Sequence, residues 1–109
     1  MKQDSLQQAK QVYEIEKECI EKMVDCFDED AYSKAVEMLK TAERIGATGC
    51  GHSGIICQHF AHLMCCIDKS AKFISPAEAV HGGTGFLQKG DVCVFASRGG
   101  KTKELLPYR

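Results

Sequence analysis

The stretch RIGATGCGHSGIICQHF, residues 44–60, decides the fold because its hydrophobic pattern changes at a pair of glycines. Residues 44–48 are short and mostly apolar, which is typical of a buried strand. Gly49 and Gly51 predict a turn, and the few charges in residues 54–66 predict a helix that is buried on most sides. A turn between strand and helix points free backbone N–H groups and the positive end of the helix dipole at one spot. The stretch therefore predicts a strand-to-helix unit with a candidate anion site at its junction.

Two helices precede this unit. From Ser5 to about Phe27 apolar residues recur at helical spacing, with Glu, Lys and Gln on the other face. Asp28 or Asp30 offers an N-cap for a second helix that runs to about residue 42. We therefore expect a helical arm over residues 1–43.

Two further strands follow the central unit. AKFIS, within residues 70–75, and DVCVFAS, residues 91–97, are apolar and bounded by proline or glycine, and one helical turn is expected at 76–80 between them. Strands that alternate with helices favour a parallel sheet. The predicted fold class is α/β, with a parallel sheet of about three strands, helices on both faces and two N-terminal helices before it. Residues 44–109 would form this domain.

Composition excludes several classes of function. The formal net charge is −1 with no basic cluster, so we expect no nucleic acid and no membrane surface as partner. No apolar run approaches the roughly 20 residues that span a bilayer, and the amino terminus lacks the apolar core of a signal peptide. The seven cysteines are odd in number and several lie in apolar runs, which predicts reduced thiols and a cytoplasmic location.

A second glycine loop follows the last strand. In SRGGKTKE, residues 97–104, Ser97 and Thr102 supply hydroxyls, and Gly100 lets the backbone approach an anion. The first loop contributes the Ser53 hydroxyl. Because both loops follow strands of a parallel sheet, they open at the same carboxyl edge, where α/β folds place ligands. The pair predicts a phosphorylated ligand.

The motifs GCGHSG, SPAEAVHGGTG and GDVCVFASRGGKTKEL, taken in this order, resemble the sugar isomerase (SIS) domain family, most closely its arabinose 5-phosphate isomerase branch. The resemblance covers about residues 30–106. It implies a partial flavodoxin-like fold that binds a phosphorylated sugar, in a phosphosugar (aldose–ketose) isomerase or a fragment of one, without a cofactor. The residues that it implies for the phosphate are Gly51, Ser53, Ser97, Gly100 and Thr102. The residues that it implies for catalysis are Glu78, His81, His52 and Glu104.

The sequence departs from the family pattern at several positions, among them Ser75, which stands where the isomerases carry histidine. His52 stands where the isomerases carry lysine, Gly99 where a second serine is usual, and Gly83 where an acid is usual. The chain also resembles only the first half of the domain, which would leave the strand at 91–97 at an exposed edge and predicts a homodimer or higher homo-oligomer. The alternative is a non-catalytic sugar-phosphate sensor, or a truncated or engineered half-domain with a structural, self-assembling role.

Residues 50–66 also contain candidate metal ligands. His59, His62 and Cys66 would share a helical face, while Cys50 and His52 lie in the turn before it. Structural zinc sites usually show tight C-x2-C or H-x3-H pairs from two separate elements, and this chain has none of that pattern. We therefore predict no metal site and interpret the helix as a packing helix that lines a subunit or layer contact.

Overall fold

A computed structural model describes residues 2–100. Its helices and strands are α1 (Lys2–Met23), α2 (Glu29–Thr41), β1 (Ile45–Gly49), α3 (His52–Cys66), β2 (Ala71–Phe73), α4 (Pro76–Ala79) and β3 (Val92–Ala96). Short 3-10 turns lie at Val24–Cys26 and Gly83–Phe86. The elements expected from the sequence up to β3 are thus confirmed in type and order, and the helix expected after β3 lies outside the described residues.

The chain divides into two compact units, with the boundary after Ala35 inside α2. In the first unit every described side chain is exposed, and the ion pair between Lys22 and Glu18, at 2.9 Å, links neighbouring turns of α1. The side chain of Asp28 accepts a hydrogen bond of 3.0 Å from the N–H of Ala31. This bond confirms Asp28 as the residue that caps α2.

The second unit contains a parallel sheet with strand order β2-β1-β3. Ile45 of β1 lies opposite Ala71 of β2 and Val92 of β3. All five residues of β1 are buried, because neighbours cover this strand on both edges and both faces. The apolar pattern of residues 44–48 is explained by this central position, since strands buried on both faces need not alternate polar with apolar side chains.

The two faces of the sheet are covered by different segments. α3 packs on one face across all three strands. On the other face, a Cβ placed on Gly46 would lie 2.9 Å from Leu87 Cδ2 and 3.1 Å from Ile74 Cδ1. The absence of a side chain at Gly46 therefore lets the segment after α4 approach the centre of the sheet.

Arg44 holds the segment before β3 against the start of β1. Its guanidinium forms an ion pair of 2.8 Å with Asp91, whose side chain is only 2% exposed, and it also donates to the carbonyl oxygen of Phe86. The same group lies 4.3 Å from the centroid of the Phe86 ring. The hydrogen bond from Arg44, together with that from the N–H of Gln88, lowers the pKa of the Asp91 carboxyl. Residues 86–91 are thereby held at the amino ends of β1 and β3, opposite the predicted loops.

The thiol and hydroxyl groups of the core differ in their hydrogen bonds. All seven cysteines are free thiols. The Cys57 thiol donates to the Thr48 carbonyl oxygen at 3.3 Å, and burial raises its pKa. Burial also raises the pKa of Cys93 to about 11. The Thr48 hydroxyl is fully buried and has no hydrogen-bond partner within residues 2–100.

The helices described over residues 2–100 include none with the length and apolar character needed to cross a membrane.

Candidate functional site

The turn between β1 and α3 is built around Gly51. This residue has φ 58° and ψ −130°, a backbone conformation that an L side chain rarely adopts. The first backbone bonds that close α3 run from the Gly54 N–H to Cys50 and from the Ile55 N–H to Gly51. The N–H groups of His52 and Ser53 precede these bonds and point out of the amino end of a 15-residue helix. This is the arrangement of donors that binds anions at helix N-termini.

A pair of glycines brings this turn close to the sheet. A Cβ on Gly54 would lie 2.5 Å from the carbonyl oxygen of Gly49, and a Cβ on Gly49 would lie 2.9 Å from the carbonyl carbon of Ser53. Both distances are too short for real side chains. The first turn of α3 therefore rests directly on the end of β1, which holds Ser53 in place.

The end of β3 lies beside this turn. Gly49 pairs with Ala96, and Ser97 follows Ala96 directly, so that the two predicted loops leave adjacent strands at one edge. The Ser97 hydroxyl oxygen accepts a hydrogen bond of 3.0 Å from the N–H of Gly100, which has φ 69°. The backbone around Gly100 was expected to approach a phosphate, and in the structure the N–H of this residue is engaged within its own turn. Thr102 and Glu104 lie outside the described residues.

Glu78 and His81 also lie at the carboxyl edge of the sheet, on the side of β2. Glu78 belongs to α4, and the N–H of His81 donates to the Glu78 carbonyl oxygen at 3.0 Å. Gly82 follows with φ 107° and reverses the chain. Both side chains are exposed, and neither has a hydrogen-bond partner in the part of the chain that the structure describes. The side chains of His52, which is exposed, and Ser53, which is half-buried, also have no hydrogen-bond partner within residues 2–100.

A cleft of about 320 Å³ lies between the Gly51 turn and the junction of β2 with α4. Its walls include Gln58 on α3, the Phe73 ring at the end of β2, and Ser75 before α4. Sequence reasoning noted Ser75 only as a departure from the family pattern and did not single out Gln58 or Phe73. Gln58 was nevertheless detectable, because it lies one helical turn after Gly54 and therefore on the same face of α3.

No group of three His, Cys, Asp or Glu side chains within residues 2–100 is arranged to hold a metal ion. His59, His62 and Cys66 are all exposed on α3.

The expectation that residues 54–66 form a helix buried on most sides is wrong for the single chain. Only Gly54, Cys57 and Ala61 of α3 are buried, because the three-stranded sheet covers just one side of the helix. On the outward side Ile55 is 61% exposed and Ile56 is 65% exposed. The near absence of charged residues in this helix therefore reflects an exposed apolar surface and not a buried core element.

Comparison with known proteins identifies the family. The sequence model of the SIS domain family matches residues 38–108 of the chain. Among curated relatives, arabinose 5-phosphate isomerase KdsD of Francisella tularensis is 31% identical over 102 residues, which cover 90% of this chain and 31% of that protein. KdsD of Pseudomonas aeruginosa is 28% identical and covers 94% of this chain and 32% of that protein. The chain thus spans about a third of the length of these relatives.

Solved structures agree with this assignment. A candidate sugar-phosphate isomerase from Listeria monocytogenes superposes with a TM-score of 0.93 at 36% identity, over 98% of this chain and 56% of that one. The protein c3406 of E. coli CFT073, solved in complex with arabinose 5-phosphate, superposes with a TM-score of 0.86 at 27% identity, over 95% of this chain and 55% of that one.

Proposed function

We propose that this chain, which belongs to the SIS domain family, binds a phosphorylated sugar at the carboxyl edge of its sheet. The observation that carries the proposal is the amino end of α3, where the N–H groups of His52 and Ser53 and the Ser53 hydroxyl are available beside the end of β3. Residues 44–109 carry the binding function in this proposal, and residues 1–43 form a helical arm.

The phosphate group binds over the Gly51 turn. The helix dipole and the backbone donors stabilise its negative charge, and the Ser53 hydroxyl adds a hydrogen bond. Ser97, Gly100 and Thr102 approach the phosphate from the second loop. The Gly100 N–H exchanges its Ser97 acceptor for a phosphate oxygen when the ligand arrives.

The reaction proposed for the site is aldose–ketose isomerisation, in which a proton moves between adjacent carbons. Glu78, His81, His52 and Glu104 supply the acid and base groups, as the SIS resemblance implies. KdsD of Francisella tularensis, named as an arabinose 5-phosphate isomerase, supports this reaction class. The c3406 complex supports a pentose phosphate as ligand.

Binding without turnover is the second candidate function. A catalytic base is normally oriented by a hydrogen bond from a third group. Within residues 2–100 neither Glu78 nor His81 has such a bond, and this observation is the reason for keeping a sensor as the alternative.

Calorimetric titration with arabinose 5-phosphate and with arabinose tests binding. We expect affinity for the phosphorylated sugar only. The Ser53→Ala variant should weaken it about 10- to 100-fold, which corresponds to the loss of one hydrogen bond to a charged group. Ser70→Ala removes an exposed hydroxyl before β2, at the opposite edge of the sheet, and should leave affinity unchanged. Equal affinity for both sugars would refute the phosphate site.

Turnover separates the two candidates. Conversion of arabinose 5-phosphate to ribulose 5-phosphate that is abolished by Glu78→Gln would establish the isomerase. Tight binding with no conversion would establish the sensor.

The chain forms a homodimer in this proposal, through the outward face of α3. On α3, Ile55 and Ile56 are 61% and 65% exposed, and Ile67, which directly follows the helix, is 70% exposed. No Asp, Glu, Lys or Arg occurs in residues 52–67, so two copies can pair these faces without like-charge repulsion. The mass in solution should fall from dimer to monomer in Ile56→Asp. It should not change in Val80→Asp, which places the same charge at an exposed apolar residue outside α3. A wild-type monomer would refute the pairing.

A reducing compartment such as the cytoplasm agrees with seven thiols that form no disulfide in the structure.

A further inference from the structure

The outward face of α3 carries two histidines at its centre. His59 and His62 are exposed and lie one helical turn apart, near the midpoint of the helix. Ile55 and Cys66 are also exposed and extend the same stripe toward the two ends of α3. Because residues 52–67 contain no Asp, Glu, Lys or Arg, the two histidines are the groups at the centre of this face that can gain a positive charge.

A two-fold pair of chains would bring these histidines together. In such a pair the same surface is used twice, so that residue i of one copy meets residue j of the other and j meets i. When the two stripes overlap along their full length, the centre of one meets the centre of the other whichever way the helices run. His59 and His62 of both copies then gather around the axis, with apolar side chains such as Ile55 on either side.

The charge of these imidazoles decides whether the two faces are compatible. A neutral imidazole has one N–H donor and one acceptor nitrogen, so neutral histidines can pack and hydrogen-bond across the pair. Histidine gains a positive charge as the pH falls from about 8 to about 5, and like charges on two facing surfaces oppose association. The Cys66 thiol on the same stripe cannot gain a positive charge.

The strands beneath α3 present no carboxylate that could compensate this charge. The helix packs on β1, β2 and β3, whose titratable side chains are Lys72 and Cys93. Lys72 Nζ lies 5.5 Å from the centroid of the Phe86 ring, and Cys93 Sγ lies 3.6 Å from the position of a Cβ on Gly46. Both side chains therefore lie on the face of the sheet that α3 does not cover.

The other titratable groups of α3 lie off its outward face or at its ends. Cys57 is buried, and the Cys65 thiol donates to the Ala71 carbonyl oxygen at 3.3 Å, so both thiols point toward the sheet. His52 begins the helix, and Asp68 follows it. Each lies at least six residues from the nearer central histidine, which is about 9 Å along the helix axis.

We infer that His59 and His62 make the pairing of two chains sensitive to pH. The dimer forms while the imidazoles are neutral, and it dissociates when they are protonated. Because the monomer then binds more protons than the dimer, association weakens as the pH falls. The inference rests on the homodimer of the proposed function and adds the condition under which that dimer forms.

Sedimentation equilibrium of the full chain at about pH 7.5 and about pH 5.5 measures the dissociation constant of the dimer across the range in which histidine titrates. The constant should rise about 100-fold or more at the lower pH, the effect of two protons that each oppose association about 10-fold per pH unit. The double variant His59→Gln with His62→Gln keeps polar side chains that take up no proton, and it should stay dimeric at both pH values. The matched control His81→Gln, which removes an exposed histidine outside α3, should keep the pH dependence of the wild type.

The outcomes separate this inference from the dimer on which it rests. Dissociation of the wild type at the lower pH with an unchanged circular dichroism spectrum, absent in the double variant, supports the switch. A wild-type dimer whose dissociation constant is the same at both pH values would overturn the switch and leave the dimer intact. A pH dependence that persists in the double variant would also overturn it, because other groups would then titrate. A wild-type monomer at both pH values would overturn the proposed dimer, and with it the switch.

Discussion

The contact between Gly49 and Gly54 offers a direct test of how the sequence positions the Gly51 turn. In Gly54→Ala the new Cβ would lie 2.5 Å from the Gly49 carbonyl oxygen and 3.2 Å from its carbonyl carbon. Carbon and oxygen atoms normally approach to about 3.3 Å, even in close C–H···O contacts. Both obstructing atoms belong to the backbone of β1 and cannot rotate away. The amino end of α3 must therefore move away from the strand.

The expected loss of stability follows from two opposing effects. Overpacking a well-packed site costs about 1–3 kcal/mol, and a clash with fixed backbone atoms belongs at the upper end of that range. Alanine in place of glycine favours a helix by about 1 kcal/mol. The net free energy of unfolding should thus fall by about 2 kcal/mol. For a domain of this size the melting temperature should drop by about 10 °C.

Thermal unfolding followed by circular dichroism measures this effect, with Gly85→Ala as the matched control. A Cβ on Gly85 would meet no atom within 4 Å, so the control should change stability by less than about 0.5 kcal/mol. Because Ser53 precedes Gly54 directly, Gly54→Ala should also weaken phosphate binding. Equal melting temperatures for the two variants would refute the idea that this glycine pair sets the distance between α3 and β1.

Three further predictions concern the core and the edge of the sheet. The Asp91 carboxyl has a pKa below its ordinary value of 3.8, so its pairing with Arg44 stabilises the fold above that value and is lost as the pH falls through the lowered pKa. The melting temperature of the wild type should therefore fall more steeply below about pH 4 than that of Asp91→Asn, and parallel curves would contradict this. The Cys93 thiol, with a pKa of about 11, should react with iodoacetamide at least about 10-fold more slowly than exposed Cys66 in native protein at about pH 8, as peptide mapping by mass spectrometry would show. Equal rates would mean that burial does not protect Cys93. Thr48→Val removes a buried hydroxyl without a partner in the described residues and should raise stability by about 1 kcal/mol, measured by the same thermal unfolding. A loss of stability would show that this hydroxyl bonds a group outside residues 2–100.

Most of the fold was predictable because its signals are local. The apolar run at residues 44–48 marked the central strand, and the glycines after it marked the turn, whose positive φ at Gly51 only glycine adopts readily. The Asp28 cap was readable for the same reason, since capping depends on residues within one turn. The adjacency of the two glycine loops also followed, because parallel strands bring their carboxyl ends to one edge.

Other features depended on which segments meet. The sequence could not show that the Gly100 N–H is engaged by Ser97 or that Gln58 lines a cleft, because these facts depend on the conformations of separate turns. The exposure of Ile55 was also mispredicted. An uncharged helix has the same sequence whether it is covered by its own chain or by a second copy.

The sequence by itself determined the order of the elements, the class of the fold and the position of the Gly51 turn, since each follows from local periodicity, glycine conformation or motif spacing. Only the tertiary structure decided how closely α3 lies on β1, which face of α3 remains open, and that a neutral cleft lies on the β2 side of Gly51. These features arise where residues distant in the chain meet in space, as Gly51 and Ser75 do on the walls of one cleft, and such meetings leave no periodic pattern in the sequence.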